Sequence, residues 1–475
     1  MSQVVATAIY RDMDEARVRG LHLKIGFFAG LGAWLDGFDY AVIGIALIGI
    51  IPTLHPSGGQ IAALVAAAYA GGAFGGVIFG NLADRFGRKL LFLVDITFFL
   101  VFAALSGIAP NVGWLIVLRF CLGLGLGGDF PLSASYMSEF APREFRGKLG
   151  SWVGSFWWVG ALSAMLVAVV FYSFMSPAAS WRWILAFGSI PALIALWLRA
   201  GLPESPRWLV IKGRPDKAYA IIKQFNPALN EQQFSQLAQT ITADYSHRKP
   251  VSPLELFRPG TIRSTVFTSG FFTCYTLAFY AVTIYGPVIL KNLGGYTAPR
   301  ELALGAAFYF LCACIGGYTN LFIVDRIGRK RALLISFTGM AVLLLLLAAI
   351  YPPTFLIGLA LLSIFQFFQA FGPGVLWASY IPEVFPTRLR ASGHGMATFT
   401  SRLGAVGSSF LWVWAVATFT VGGAFVVHGI FAVIGIALTA LLGVETKQRS
   451  LEAINDELEA SNAKPEGTAL IGATP

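Results

Sequence analysis

Asp36 and Asp39 lie inside an apolar run of about 25–51, Arg119 and Asp129 inside a second of about 113–138, and Arg402 inside a third of about 393–419. Ionised side chains in runs of this kind are costly, about 3 kcal/mol each at a bilayer centre on the most lenient scale, so they default to function. A carboxylate in such a place can balance a fixed cation. It can also take up and release a proton as its partner comes and goes, because desolvation favours the neutral form and a nearby arginine the ionised form. Asp36 and Asp39 are three residues apart and share one helix face. Arg402 needs an anionic partner. An anionic solute supplies one; the alternatives are snorkelling to the near membrane face or pairing with loop carboxylates.

A second group of residues suits solute recognition. Trp157, Trp158, Tyr280, Tyr285 and Trp377 each present a ring with a polar tip. Gln366 and Gln369 offer both donor and acceptor. All of them stand in apolar runs, and any single aromatic among them is more often packing than ligand contact.

The elements that must position these residues are membrane-spanning helices. The 475 residues are 56% hydrophobic and only 12% charged, with a mean hydropathy of +0.70. A soluble chain carries about 25% charged residues, and a bilayer core of about 30 Å takes about 20 helical residues to cross. Spans are predicted near 25–51, 60–83, 90–109, 113–138, 149–174, 183–200, 265–290, 301–324, 332–351, 354–381, 393–419 and 422–443. The segment 201–262 between them is polar, with amphipathic helices expected at 216–225 and 231–245 lying on the membrane face. No cleavable leader is read in the polar stretch 1–24.

The basic residues settle the expected orientation. Arg85, Arg88, Lys89, Arg143, Arg146, Lys148, Arg326, Arg329, Lys330, Arg331, Arg388 and Arg390 fall in one set of alternating loops, with both termini and the central segment. Only Arg182, Lys291 and Arg300 fall in the other. The positive-inside rule then puts both termini and the central loop in the cytoplasm. It also accounts for the net charge of +10 without nucleic acid. In this frame Asp39 lies about 22 Å into its span and Arg119 about 9 Å in from the opposite side, so the two can meet.

The chain repeats itself. Asp84-Arg85-Phe86-Gly87-Arg88-Lys89 returns as Asp325-Arg326-Ile327-Gly328-Arg329-Lys330. Glu139-x-x-Pro142-x-x-x-Arg146 returns as Glu383-x-x-Pro386-x-x-x-Arg390. The near-equal offsets imply a duplicated six-helix unit, with a substrate site at the midplane between halves. The expected division is 1–200, a first bundle; 201–262, a cytoplasmic loop; 263–445, a second bundle; and 446–475, a tail. The acidic members of the repeated motifs add nothing to topology, so Asp84, Arg85, Arg88, Glu139 and Arg146, with Asp325, Arg326, Arg329, Glu383 and Arg390, are candidate gate latches bridging the halves.

The repeated D-R-x-G-R-K resembles the signature of the major facilitator superfamily. Pro203-Glu204-Ser205-Pro206-Arg207-Trp208-Leu209, Trp181-Arg182-Trp183 and Glu445-Thr446-Lys447 resemble its sugar-porter and organic-ion branch. The resemblance implies an all-α membrane protein of 12 transmembrane helices in two pseudo-symmetric bundles. Gly37-Phe38-Asp39 with Ile43-Gly44 is similar to the sugar-porter pattern G-[YF]-D-x-x-x-I-[SG]-G, with Ile45 in place of the last glycine. The resemblance implies that Asp39 and Arg119 form a protonation switch; the alternative is a permanent structural pair. Asp36 has no sugar-porter counterpart. Its D-G-F-D setting resembles proton symporters of aromatic and other organic acids, which implies a second proton site; the alternative is an aspartate bonded to an amide or hydroxyl. Gly127-Gly128-Asp129-Phe130-Pro131-Leu132-Ser133-Ala134 resembles phosphate:proton symporters and implies an inner-side proton relay at Asp129. Phe130, Trp157, Phe272 and Thr276 depart from that family's solute ligands and argue against inorganic phosphate.

The glycines at 123, 125, 127 and 128, like Gly72, Gly76 and Gly80, suit close helix packing. A dinucleotide-binding reading fails, since no strand precedes them. Cys121, Cys274, Cys312 and Cys314 read as buried thiols, and Cys312-x-Cys314 has no further ligands for a metal. No nucleophile–base pair is visible, so no enzyme, cofactor or metal is expected. The expected function is proton-coupled symport of a small polar metabolite, an organic anion or a sugar-like compound, by alternating access. The expected setting is the plasma membrane, as a monomer whose partners are solute, protons and lipid. A facilitator or exporter of the same fold, or a nutrient sensor that binds without transporting, remain the alternatives.

Overall fold

The computed structural model describes residues 20–140, 146–224, 230–246, 252–293, 298–385 and 389–447. These are helices joined by short turns, with no strand among the described residues. The first half runs α1 (Gly20–Leu54), α2 (Gly58–Phe86), α3 (Arg88–Ser106), α4 (Val112–Phe140), α5 (Arg146–Phe174), and then α6 (Pro177–Phe187) and α7 (Ser189–Ala200), which together make the sixth crossing. Short helices α8 (Pro206–Ile211), α9 (Pro215–Ile222) and α10 (Glu231–Ser246) fill the central segment. The second half runs α11 (Ile262–Ile284), α12 (Gly286–Asn292), α13 (Pro299–Ile327), α14 (Arg329–Ala349), α15 (Phe355–Phe371) with α16 (Pro373–Glu383), and α17 (Arg390–Leu442). At 53 residues α17 is far too long for one crossing. Thr420, at φ 72° and ψ 176°, turns the chain inside it. Twelve crossings result, with the last break in the expected gap of 419–422.

The helices meet where glycine lets backbones touch. A Cβ on Gly123 or Gly127 would meet the carbonyls of Ala68 and Gly72, and one on Gly71 or Gly75 those of Phe120 and Leu124, so α2 and α4 interlock reciprocally. Gly37 faces the Trp157 carbonyl and Gly160 that of Trp34, which seats α1 on α5. Gly44 faces the Ile284 carbonyl, so α1 also touches α11 of the second half. Without a hydrophobic driving force between helices in lipid, such close approach supplies much of the association energy. Encased in this way, α1 is buried almost continuously from Leu35 to Ile50.

Two crossings break at proline, and neighbours satisfy the freed carbonyls. Pro287 cannot donate to Thr283, whose carbonyl accepts from the Tyr309 hydroxyl at 3.1 Å. Pro373 follows the break at Gly372, and the Phe371 carbonyl accepts from Asn320 at 2.5 Å.

The central helices differ from their expected place on the membrane face. Trp208, Leu209, Val210, Ala218, Ile222, Phe234 and Ala238 close a second core against Phe28, Phe79, Leu91, Phe92 and Tyr136 at the basic ends of α1–α4. Their apolar faces find protein there, which removes the need for lipid.

The repeated motif makes the same turn twice. Gly87 joins α2 to α3 at φ 105°, and Gly328 joins α13 to α14 at φ 93°. With ψ near 155° this backbone is essentially glycine-only, and a side chain there costs about 1–3 kcal/mol; a Cβ would also run into Glu204 at Gly87 or Glu445 at Gly328. Gly87→Ala and Gly328→Ala should each lower the apparent melting temperature of the purified protein. Unchanged melting in both would show that the turn does not need its positive φ.

Candidate functional site

Three buried acid–arginine pairs organise the interior. Arg119 of α4 reaches Asp39 of α1, with Nη1 2.5 Å from Oδ1, and its Nη2 donates to the Asp39 carbonyl at 2.9 Å. Both side chains are 2% exposed. The estimated depths of the two residues allow this meeting. Asp129 of α4 pairs with Arg199 of α7. Arg199 also donates from Nε to the Phe28 carbonyl at 3.1 Å and lies over the Phe92 ring at 4.6 Å. Gly32 of α1 makes room for this pair, since a Cβ there would collide with Asp129 Oδ2 and with Arg199.

The third pair crosses the molecule. Arg402 of α17 extends toward Asp36 of α1, with Nη2 3.8 Å from Oδ2. Its guanidinium lies 4.9 Å from the Tyr40 ring centre and 5.2 Å from that of Tyr69, close enough for cation–π attraction. Neither oxygen of Asp36 accepts a hydrogen bond among the described residues. The alternative of an aspartate bonded to an amide or hydroxyl is therefore not what the structure has, and a long charge contact stands in its place.

An aromatic wall runs from this pair into the second half. Tyr40 stacks on Tyr69 at 3.8 Å, Tyr69 meets Tyr280 edge-on at 4.0 Å, and Phe279 continues to Tyr275 at 4.4 Å and to Trp158 at 6.3 Å. A polar chain backs it. The Tyr275 hydroxyl donates to Gln369 at 2.7 Å, Gln369 to Gln366 at 2.7 Å, and Gln366 to Thr283 at 2.9 Å. Trp158 Nε1 and the hydroxyls of Tyr40 and Tyr280 are buried without hydrogen-bond partners among the described residues. Buried polar atoms of this kind want a partner, and a polar solute is one.

Of the residues expected to contact solute, Trp158, Tyr280, Gln366, Gln369 and Arg402 converge here, with Trp157 next to Trp158 at 4.5 Å. Tyr285 stands apart, whereas Trp377 continues the wall through Phe272, which stacks on Tyr275 at 6.1 Å and on Trp377 at 6.4 Å. Tyr285 stacks on Trp412 at 5.9 Å, and Trp377 lies 5.6 Å from His394 on the side of the basic loops. Tyr40, Tyr69 and Tyr275 were not singled out in the sequence, because a tyrosine among apolar residues reads as packing. Arg199 was also missed. As the last basic residue of its span it looks topogenic, and only the proximity of Asp129 shows otherwise.

The candidate latches resolve unevenly. The side chains of Asp84, Glu139 and Arg146 lie outside the described residues. Arg329 pairs with Asp325 at 2.9 Å and approaches Glu383 at 3.5 Å, all within the second half. Arg85 and Arg326 are exposed, Arg85 lying 5.4 Å from the Phe86 ring, and Arg390 donates to the Pro382 carbonyl at 3.0 Å. The branch motifs explain themselves. Glu204 accepts the backbone N–H of Arg88 at 3.0 Å, and Glu445 that of Arg329 at 2.9 Å. Each carboxylate thus caps the helix that follows the repeated turn, where it also meets the positive end of the helix dipole. Thr446 donates to Glu383, and Lys447 to the Arg326 carbonyl at 2.6 Å.

A sequence model described as sugar (and other) transporter matches residues 25–458. The chain belongs to that family. The inner membrane metabolite transport protein YgcS of Escherichia coli (strain K12) is 30% identical over 448 residues, 93% of this chain and 95% of that protein. The arabinose-proton symporter of Bacillus subtilis (strain 168) is 30% identical over 466 residues, 92% of this chain and 94% of that protein. Among solved structures, the proton:xylose symporter XylE bound to 6-bromo-6-deoxy-D-glucose superposes with a TM-score of 0.75 at 25% sequence identity, covering 92% of this chain and 99% of its own. These members of the family are transporters, not enzymes. The chain is a multi-pass membrane transporter of sugars or other metabolites, with the major facilitator fold.

Breaking one partner of a buried pair leaves an unpaired charge, at about 3–5 kcal/mol. Asp129→Asn and Arg199→Met should each lower the melting temperature strongly, and the double variant less than the sum of the two. Additive losses would mean that the pair contributes no coupling.

Proposed function

We propose that this transporter carries a small organic anion together with a proton, by alternating access between two six-helix bundles, 1–200 and 263–445, joined by the segment 201–262. The observation that carries the reading is the Asp36–Arg402 contact. It joins the first and second halves, sits against the tyrosine wall, and leaves both Asp36 oxygens without hydrogen bonds among the described residues. A solute carboxylate is a better partner for a guanidinium than an aspartate at 3.8 Å, because it can bind bidentately. Protonation of Asp36 would release Arg402 to it. Asp39 and Arg119 form the second switch, ionised and paired in one state, with Asp39 protonated when the pair separates. Asp129 is the relay toward the basic face. The printed functions of two relatives, arabinose-proton and proton:xylose symport, support proton coupling. The charge distribution supports cytoplasmic termini; the plasma membrane as its location and a monomer as its working form complete the reading.

A sugar-like solute is the second reading. It is favoured by the Gln366–Gln369–Tyr275 chain, whose donors and acceptors suit hydroxyl groups. A thermal-shift screen of sugars, sugar acids and aromatic acids selects between the two. With the solute in hand, Arg402→Ala should weaken binding of a carboxylate far more than of its neutral analogue, by the roughly 1.5–3 kcal/mol of a charge-assisted hydrogen bond. Equal loss for both would favour the sugar-like reading.

Asp39→Asn mimics the protonated acid and cannot cycle. In reconstituted vesicles it should abolish accumulation driven by a pH gradient while some counterflow exchange persists. Accumulation that survives would remove Asp39 from coupling. Absence of any uptake by the unaltered protein would favour a sensor, and uptake indifferent to the gradient a facilitator.

A further inference from the structure

A narrow cavity lies between α1, α3 and α4, lined by carboxylates from all three. Gly32 and Asp36 face it from α1, Asp95 and Phe99 from α3, and Gly125 and Asp129 from α4. It offers about 10 Å³ to the centre of a water-sized sphere, the threshold at which a cavity holds one water, about 10–15 Å³. The lining contains orphaned acceptors. Both oxygens of Asp36 and Oδ2 of Asp95 are buried without a hydrogen-bond partner among the described residues. Asp36 and Asp95 are 0% and 1% exposed.

The charges do not balance. Asp129 is held by Arg199, Asp36 faces Arg402, and Asp39, one turn further along α1, is held by Arg119. Asp95 has no ion pair among the described residues, and its Oδ1 accepts only the N–H of Ile96, at 2.6 Å. The charged groups acting on it are Asp129, Asp36 and Arg199. It is the surplus acid of the cluster. Carboxylates sharing a dry site cannot all ionise, so one of them keeps a proton. The described residues contain no cluster of three His, Cys, Asp or Glu side chains placed to hold a metal ion.

We propose that Asp95 is a proton-loading site, joined to Asp36 by one water in this cavity. The inference rests on the proton-coupled reading above and gives it a route beside the solute path. The transfer is a simple exchange. The Asp95 carboxyl gives its proton to the water, and the water gives one of its own to Asp36. The water is regenerated, Asp95 becomes a carboxylate and Asp36 a neutral acid. Asp36 then no longer presents a charge to Arg402, and the anionic group of a solute can take that place. Asp95 acquires its charge within the field of Arg199, which acts on it electrostatically.

Infrared spectroscopy of the full chain in lipid nanodiscs tests the site without a known solute. At neutral pH the protein should show a protonated-carboxyl C=O band that shifts on transfer to D2O. Asp95→Asn should lose one carboxyl's worth of that intensity, whereas Asp39→Asn should keep it. Asp95→Glu keeps the acid and should move the band to a different frequency, which guards against a variant that fails to fold. An undiminished band in Asp95→Asn, or an unmoved one in Asp95→Glu, overturns the proposal. If the band behaves as expected but vesicle uptake ignores a pH gradient, the proton site stands and the symport reading falls. If uptake is gradient-driven and the band ignores Asp95, symport stands and this site falls.

Discussion

A charge in the middle of a bilayer must have a counter-charge within the protein, and this constraint shapes the molecule. Arg119, Arg199 and Arg402 enter from three different crossings, and each meets a carboxylate of α1 or α4. Two of these contacts, Asp39–Arg119 and Asp129–Arg199, are tight and lie within the first half. The third is long, crosses to the second half, and leaves Asp36 short of hydrogen bonds. Tight buried pairs resist separation because parting them exposes two uncompensated charges. The loose one is where a competing ligand can act.

The packing that holds these pairs in place is made by glycine. α1 carries Gly32, Gly37 and Gly44, which admit the Asp129–Arg199 pair, the α5 backbone and the α11 backbone in turn. A single helix thereby touches the fixed charges, the aromatic wall and the other half. The Asp36–Arg402 distance is set by how α1 sits against α17, which carries Arg402. At the basic end, Glu204 and Glu445 perform the same capping task at equivalent turns. Each ties a crossing to chain that lies beyond its own six helices, the central segment in one case and the tail in the other.

Much of the fold was legible in the sequence, for reasons that are local. Twelve apolar runs can be counted because each crossing must satisfy its own backbone. The repeat could be seen because the turn between α2 and α3 needs Gly87, and the turn between α13 and α14 needs Gly328. Asp39 and Arg119 could be paired in advance because depth along a membrane helix is proportional to residue number. The central helices were also visible as amphipathic patterns, but their apolar sides face the ends of α1–α4, a choice that pattern alone does not make.

The sequence by itself determined the class, the number and extent of the crossings, and which residues carry costly charge. Those follow from composition, spacing and the one-dimensional geometry of a helix. Only the tertiary structure decided the partners. Arg199 belongs to Asp129, Arg402 reaches Asp36, Tyr69 and Tyr275 join the wall while Tyr285 does not, and Asp95 has no ion pair among the described residues. Rotation about the helix axes and the azimuthal order of crossings decide those contacts. Both are set by glycine-mediated packing between helices far apart in the chain, and no local spacing records them.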